Sequence, residues 1–337
     1  MTTSSPSIPL RVTRAQPGRR QALLALAAAA LPWSARAQGT FPQRPVTLIV
    51  PFAPGGIADI TARTVAEVMG RNLGQTFVID NRPSAGSIVA SSAVAKSAPD
   101  GYTLLLMSNS NALSAGLFKK LPYDVVKDFA PVGVLGVFDL GLFVPANSRF
   151  ASLRELVAYA KSAPGKLTIG TIAVGSTQHL AAELFKTRAG IDAVTVPYKG
   201  TPAVLTALRA GEIDIAFEIV GPVVPQVTAK AVRALAVSSD RPNPALPEVP
   251  TVAEAGVAGY SVASWNALAA PAGTPAEVID KLNAAARQAL ADPAVARKLQ
   301  DLGVRAQPGS PAQLQTLLAS EIRHWGEVIR AARIEPE

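Results

Sequence analysis

Two glycine-bearing segments hold the residues best suited to binding a small anion. They are Pro51-Phe52-Ala53-Pro54-Gly55-Gly56-Ile57-Ala58-Asp59 and Thr171-Ile172-Ala173-Val174-Gly175-Ser176-Thr177-Gln178-His179. Glycine lets the backbone approach a ligand closely, and the start of a helix offers unpaired N–H groups and the positive end of the dipole. This chemistry suits a carboxylate or a phosphate. A plain tight turn, with Asp59 capping the helix, is the alternative reading of the first segment taken alone.

Catalysis by the second segment is a competing interpretation. Ser176 and His179 lie three residues apart, which suggests a nucleophile and its base. Both fall on the first turn of one predicted helix, where a serine normally caps N–H groups, and no Gly-x-Ser-x-Gly elbow exposes the hydroxyl. We therefore favour capping and ligand contact, and keep a serine hydrolase as the alternative function.

Metal ions and nucleotide cofactors lack the motifs that would hold them. The chain has no cysteine, and its two histidines, His179 and His324, are far apart with no HExxH spacing. The first segment lacks the Gly-Lys-Ser/Thr of a phosphate-binding loop and the third glycine of a dinucleotide fingerprint. We expect no cofactor, no metal and no enzymatic activity.

The order of apolar patterns predicts an α/β fold. From residue 46 onward, short β-branched runs alternate with segments of helical period, which favours a mainly parallel sheet covered on both faces. The first series comprises strands at 46–52, 77–80 and 102–107 and helices at 60–73 and 87–96. The second begins near residue 140, with helices at 152–162 and after 176, and strands at 167–172, 193–196, 213–217 and 232–237.

A last strand and two helices follow the second series. The strand is predicted at 262–269, and the helices should begin at Thr274-Pro275-Ala276-Glu277 and Ser310-Pro311-Ala312-Gln313. Both sequences, like Ser152 with Glu155, have the form of a capping box.

Ligands of open α/β sheets bind beyond the carboxyl ends of the strands. Both glycine segments should therefore face one cleft, together with residues at other strand ends. The predicted ligand-binding residues are Phe52, Gly55, Gly56, Ile57, Ala58, Asp59, Ser108, Thr171, Ile172, Val174, Gly175, Ser176, Thr177, His179, Tyr198 and Glu218.

The amino terminus has the pattern of an export signal. Arg19-Arg20 precedes a short apolar run and then Ala35-Arg36-Ala37, so residues 1–37 are expected to be a signal peptide, by the Sec or the twin-arginine route. These residues hold five arginines and no acid, which lowers the net charge from +8 for the whole chain to +3. That weak charge, without basic clusters interleaved with aromatics, argues against a nucleic-acid partner. Without a cysteine for a lipid anchor, an exported binder fits a Gram-negative periplasm.

Several motifs taken together resemble those of the Bug family of tripartite tricarboxylate transporter receptors. They are the segment 51–59, Asp80-Asn81-Arg82-Pro83-Ser84-Ala85-Gly86, Ala98-Pro99-Asp100-Gly101-Tyr102-Thr103-Leu104, Leu121-Pro122-Tyr123-Asp124, Val196-Pro197-Tyr198-Lys199-Gly200, Gly211-Glu212-Ile213-Asp214, and Leu246-Pro247-Glu248-Val249-Pro250-Thr251-Val252-Ala253-Glu254-Ala255-Gly256. The resemblance covers nearly all of the chain after residue 37.

The resemblance implies a periplasmic binding protein fold of the second type, with two doubly wound lobes around a ligand cleft. Lobe 1 would comprise 38–142 plus 263–337 and lobe 2 would comprise 143–262. It also implies a monomeric receptor that grips a small carboxylate through the two glycine segments and delivers it to membrane permease subunits or a sensor. Ile57, Ala58, Ile172, Ala173 and Val174 stand where the family is more polar, so we expect a ligand with one carboxylate and an apolar or aromatic body.

Overall fold

The computed structural model describes residue 1, residues 41–331 and residues 334–336. The predicted signal peptide therefore lies almost entirely outside the described residues. The chain divides into two compact units, Met1–Gln43 and Arg44–Glu337, and the helices and strands that the structure describes all belong to the second. No described helix combines the length and apolar character needed to cross a membrane.

Strands and helices alternate along most of the chain, as the sequence predicts. The strands are β1 (Val46–Val50), β2 (Phe77–Asn81), β3 (Thr103–Ser108), β4 (Phe129–Pro145), β5 (Leu167–Ile172), β6 (Ala193–Tyr198), β7 (Ile215–Ile219), β8 (Val232–Val237), β9 (Ala263–Pro271) and β10 (Val304–Ala306). The helices are α1 (Ile57–Leu73), α2 (Ile88–Ala95), α3 (Asn109–Leu117), α4 (Leu153–Ser162), α5 (Thr177–Ala189), α6 (Thr201–Ala210), α7 (Val220–Thr228), α8 (Ala276–Ala291), α9 (Pro293–Asp301) and α10 (Pro311–Ala331).

The strands follow the order β2-β1-β3-β9-β4-β7-β5-β6, and β8 and β10 also pair with β4. Pairing is parallel at the two ends, where β1 joins β2 and β3, and β5 joins β6 and β7. It is antiparallel in the middle, where β9 and β4 run side by side. The prediction of a mainly parallel sheet is therefore right for each end and wrong for the centre, because the sequence did not reveal β4 over its full length.

Strand β4 takes part in two sheets, which we call the first sheet (β1, β2, β3, β9, β10 and the start of β4) and the second sheet (β5, β6, β7, β8 and the end of β4). Its pairing with β9 runs to Asp139, and its pairing with β7 starts at Leu140. The buried Asp139 carboxylate accepts hydrogen bonds from Asn243 at 2.9 Å and Arg305 at 3.2 Å. These polar contacts therefore hold β4 at the point where it passes from the first sheet to the second.

Three apolar clusters hold the sheets and helices together. One lies under the first sheet and includes Ile49, Leu105 and Trp265. A second packs α4 and α5 on the second sheet and also takes in Leu113 of α3 and Trp325 of α10. The third covers the other face of the second sheet with α6 and α7. Burial of these apolar side chains is the main stabilising term of the fold.

The sequence predicts capping boxes at the starts of helices α4, α8 and α10. Ser152 accepts from the N–H of Glu155, and Ser310 and Gln313 form both bonds of a capping box. The prediction for Thr274 is wrong. Its hydroxyl donates to the Pro271 carbonyl at 2.8 Å, and the helix begins one residue later than expected, with Pro275 as its N-cap.

Candidate ligand-binding cleft

The first junction, residues 51–59, links β1 to α1 and is organised by Asp59. The Asp59 carboxylate is buried, accepts from the Gly55 N–H at 2.9 Å and from the Asn81 side chain at 2.9 Å, and forms an ion pair with Arg63 at 3.0 Å. Burial raises the pKa of Asp59, but these hydrogen bonds and the Arg63 guanidinium outweigh it, so the pKa lies below the ordinary value. Asp59 is therefore an anion that the protein itself neutralises.

Gly55 faces open space at this junction, and a Cβ added to Gly56 would meet only the Ala53 carbonyl, at 3.9 Å. Gly55 has a φ of +83°, and an added Cβ would meet nothing within 4 Å. Phe52 and Ala58 are partly buried, Ile57 is buried, and the Phe52 carbonyl accepts from Asn81 at 3.0 Å. The loop is thus held from below by polar contacts while its glycines remain accessible.

The second junction, residues 171–179, links β5 to α5 and is built on a serine cap. Ser176 accepts from the backbone N–H of His179 at 3.2 Å and donates to the Ile172 carbonyl at 3.3 Å. The prediction that Ser176 caps the helix is confirmed. Its hydroxyl is engaged with backbone groups on both sides, which is the geometry of an N-cap and not of a nucleophile beside its base.

Gly175 of the second junction lies against the first sheet's loops. Its φ is +76°, and an added Cβ would stand 3.1 Å from the Gly86 nitrogen and 3.2 Å from Leu117. Next to it, the Thr177 hydroxyl is 3.0 Å from the hydroxyl of Ser264 on β9. The second junction therefore meets the loop after β2 and the strand β9 at close range.

A chain of contacts links this meeting point to the first junction. β1 and β2 are parallel and in register, with Val50 opposite Asn81, so the loops after them leave the same edge of the sheet. Asn81 binds the first junction, and five residues further on Gly86 contacts the second. Both junctions thus lie at the carboxyl edge of the first sheet.

Ser108 ends β3 at this same edge. It caps α3 by accepting from the Ser110 N–H at 3.3 Å, and its own N–H donates to Asn111 in a capping box. Its hydroxyl has a structural task, as Ser176 does.

Glu218 ends β7 beneath the second junction and is fully buried. One carboxyl oxygen accepts from Thr201 at 3.0 Å, Gln178 at 3.4 Å and the Ile219 N–H at 3.2 Å, while the other has no partner among the described residues. Burial raises the pKa of Glu218 to about 7, and the three hydrogen bonds only partly oppose it. A carboxyl with this pKa exchanges its proton near neutral pH.

The remaining predicted binding residues lie at or near strand ends and are wholly or partly buried. Thr171 is fully buried, and its hydroxyl has no partner in the described part of the chain. Ile172 and Tyr198 are partly buried against the cluster under α6 and α7, and Val174 packs on the cluster under α5. Packing thus accounts for part of the apolar character of the second junction.

Three residues that the sequence analysis missed take part in this arrangement: Asn81, Gly86 and Asn266. Asn81 and Gly86 belong to the family-like motif at residues 80–86. Their residue types do not indicate that Asn81 supports the first junction or that Gly86 touches the second. Asn266 is buried in β9, with both amide atoms lacking a partner among the described residues. A polar residue inside an apolar strand was the available signal. The described residues contain no group of three or more histidine, aspartate and glutamate side chains placed to hold a metal ion.

Two α/β sheets that share strand β4, with a strand-to-helix junction from each brought to one edge, are the arrangement typical of two-lobed solute-binding proteins. The family model for the tripartite tricarboxylate transporter family receptor matches residues 61–334. The chain belongs to this family.

Individual relatives agree with that assignment. A Pseudomonas protein described as "UPF0065 protein in tcbD-tcbE intergenic region" is 39% identical over 320 residues, covering 94% of this chain and 95% of that protein. The solved structure of R. palustris Rpa4515 with adipate is 37% identical with a TM-score of 0.83, covering 88% of this chain and 100% of that one. The periplasmic binding protein BugD is 31% identical with a TM-score of 0.83 and the same coverage.

Proposed function

We propose that this chain is an exported periplasmic receptor that holds a small carboxylate between its two lobes and presents it to membrane permease subunits or a sensor. The observation that carries the proposal is the position of the two junctions at one edge of the first sheet, with Gly175 against Gly86. Free N–H groups from two helix starts then converge on one site, which favours an anion. The adipate in the structure of Rpa4515 supports the class of ligand.

The proposal includes a division into lobes and a closing motion. Residues 38–142 plus 263–337 form one lobe and 143–262 the other. In this scheme the hinge is β4, which pairs in both sheets, together with the start of β9, where the chain returns from the second sheet to the first. In this scheme the contacts of Gly175 and Thr177 with the first lobe belong to a closed form. We propose that the receptor acts as a monomer and performs no chemistry on its ligand.

We further propose that the ligand has one carboxylate and an apolar or aromatic body. A single carboxylate suits the first junction, because the Arg63 guanidinium beside it is already paired with the buried Asp59 carboxylate. Four hydrogen bonds to a charged group, at about 1.5–3 kcal/mol each, would be enough for micromolar affinity after ordering costs.

Thermal denaturation of protein freed of copurified ligand, alone and with benzoate, adipate, malate and citrate, tests this function. An acid present at about a hundred times its Kd should add about 2.7 kcal/mol to the free energy of unfolding and raise Tm by several degrees. Stabilisation by citrate alone contradicts the proposed ligand character. Stabilisation by none of the acids contradicts the receptor function, and esterase activity that disappears in Ser176→Ala would support the hydrolase alternative.

A further inference from the structure

Four asparagines are buried in the part of the chain that the structure describes, and one differs from the rest. Asn111 and Asn243 bond through both amide atoms. Asn109 donates to the Ala263 carbonyl, although its amide oxygen has no partner among the described residues. Asn266 is 1% exposed, and neither its amide oxygen nor its amide nitrogen has a partner among the described residues. Burying one unsatisfied polar group costs about 1–3 kcal/mol, so a purely structural role would be expensive for this residue.

The alternation of β9 places the Asn266 side chain on the face of the strand opposite the cluster under the first sheet. Trp265 points into the cluster under the first sheet, so its neighbours Ser264 and Asn266 point to the opposite face. On that face, the Ser264 hydroxyl already touches Thr177 of the second junction. Asn266 is therefore the next residue after Ser264 on this face, and Ser264 contacts the second junction of the proposed ligand site.

The cross-strand neighbour of Asn266 supports this placement. Ser108 lies directly opposite Asn266 in the β3–β9 ladder, at the carboxyl end of β3. Directly opposed side chains share a face with their Cβ atoms about 4.5–5.5 Å apart. The Ser108 hydroxyl caps α3, so it is already engaged with a backbone group of that helix.

A β-bulge adjoins Asn266 on its other side. The register of β4 with β9 shifts between Val134 and Gly136, and Gly136 is the residue paired with Asn266. Bulges bend a strand and re-aim side chains, and they are frequent beside functional sites. Glycine on β4 also leaves no side chain there to bond the Asn266 amide.

We propose that Asn266 is a ligand-binding residue on the floor of the cleft, and that its amide recognises a ligand carrying a hydrogen-bond donor in addition to its carboxylate. The inference rests on the receptor function proposed above and specifies its ligand further. The amide nitrogen donates to a carboxylate oxygen, and the amide oxygen accepts from a hydroxyl or amino group. A hydroxy or amino acid satisfies both atoms, whereas a simple carboxylic acid satisfies one.

The test compares Kd values by calorimetry for two pairs of acids that differ by one hydroxyl, benzoate with 4-hydroxybenzoate and succinate with malate. In the wild-type protein, the hydroxylated member of at least one pair should bind about tenfold more tightly. Asn266→Leu, which keeps the size of the side chain, should remove that preference and weaken binding of the hydroxy acid about tenfold to a hundredfold. Asn266→Ser serves as a second variant with a small polar side chain, and should lose the same preference.

Thermal unfolding of the ligand-free proteins separates a binding role from a structural one. Asn266→Leu should keep or raise Tm, because it removes two unsatisfied groups, whereas Asn243→Leu should lower Tm, because it breaks bonds to Asp139 and Ala245. If Asn266→Leu lowers Tm and leaves the Kd values unchanged, the inference is overturned. If the wild-type protein binds simple acids as tightly as their hydroxylated partners, the receptor function stands and this inference fails alone.

Discussion

The two junctions follow the same strand-to-helix plan but differ in how they are supported. The first is open, with Gly55 facing free space, and its buried carboxyl, Asp59, is ionised and paired with Arg63. The second is pressed through Gly175 against Gly86 and Leu117, and the carboxyl beneath it, Glu218, is perturbed by burial with no cation of the described residues beside it. The first junction is thus held by contacts with its own helix and with the adjacent strand β2, whereas the second packs against the loop after β2 and lies above a carboxyl whose pKa is raised.

The largest expected effect concerns the carboxyl of the second region. The pKa of Glu218 is raised from 4.5 to about 7, so folding favours the protonated form. Its contribution to stability is fully present below pH 4.5 and is lost as the pH rises through about 7. The wild-type protein should therefore lose about 3 kcal/mol relative to Glu218→Gln between pH 4.5 and pH 8.

Urea denaturation of both proteins across this pH range measures that difference. Asp59 gives the opposite sign, because a lowered pKa contributes stability that is lost only as the pH falls through the acidic range. Parallel pH profiles for the wild-type protein and Glu218→Gln would mean that Glu218 is not perturbed, and the contrast between the regions would disappear.

The next largest effect is the difference in stability between alanine substitutions at the two glycines. Gly55→Ala and Gly175→Ala each place an alanine at positive φ, which costs about 1–2 kcal/mol. Only the second also pushes a methyl group against the Gly86 backbone, so Gly175→Ala should cost about 2 kcal/mol more than Gly55→Ala. Equal losses in urea denaturation would show that the second junction is not packed against Gly86 in solution.

The smallest effect concerns the serine caps. Ser176 and Ser152 both accept from the backbone N–H three residues ahead, at 3.2 Å. Replacement of either by alanine should lower the free energy of unfolding by about 1 kcal/mol. If the second junction binds the ligand, only Ser176→Ala should also weaken binding in titration calorimetry, and an equal affinity in the two variants would contradict that role.

The sequence predicts local elements well and long-range ones poorly. The sequence predicts strand β5 at 167–172, its observed bounds, because a short run rich in Thr and Ile ends at the turn leading to Ser176. Strand β4 was predicted only from near residue 140, although it begins at Phe129, since Pro131, Gly133 and Gly136 interrupt its pattern. These residues are tolerated because bulges shift the β4–β9 register around them.

The candidate site likewise has local features that the sequence predicts and long-range contacts that it does not. The serine cap at Ser176 and the glycines of both junctions follow from residue type and spacing, which are visible in one sequence. The role of Asn81 does not, because it depends on β2 lying beside β1 in register. The unpartnered amide of Asn266 is likewise a property of packing, which no local pattern encodes.

The place of β9 in the sheet also affects the order in which the protein folds. β9 lies between β3 and β4, although more than 100 residues separate it from either strand along the chain. The first sheet therefore stays in two unconnected parts until synthesis has passed residue 271. The strands of the second sheet are all complete by residue 237, so this sheet can assemble before the first sheet, whose first strand precedes it in the chain and whose last strands follow it.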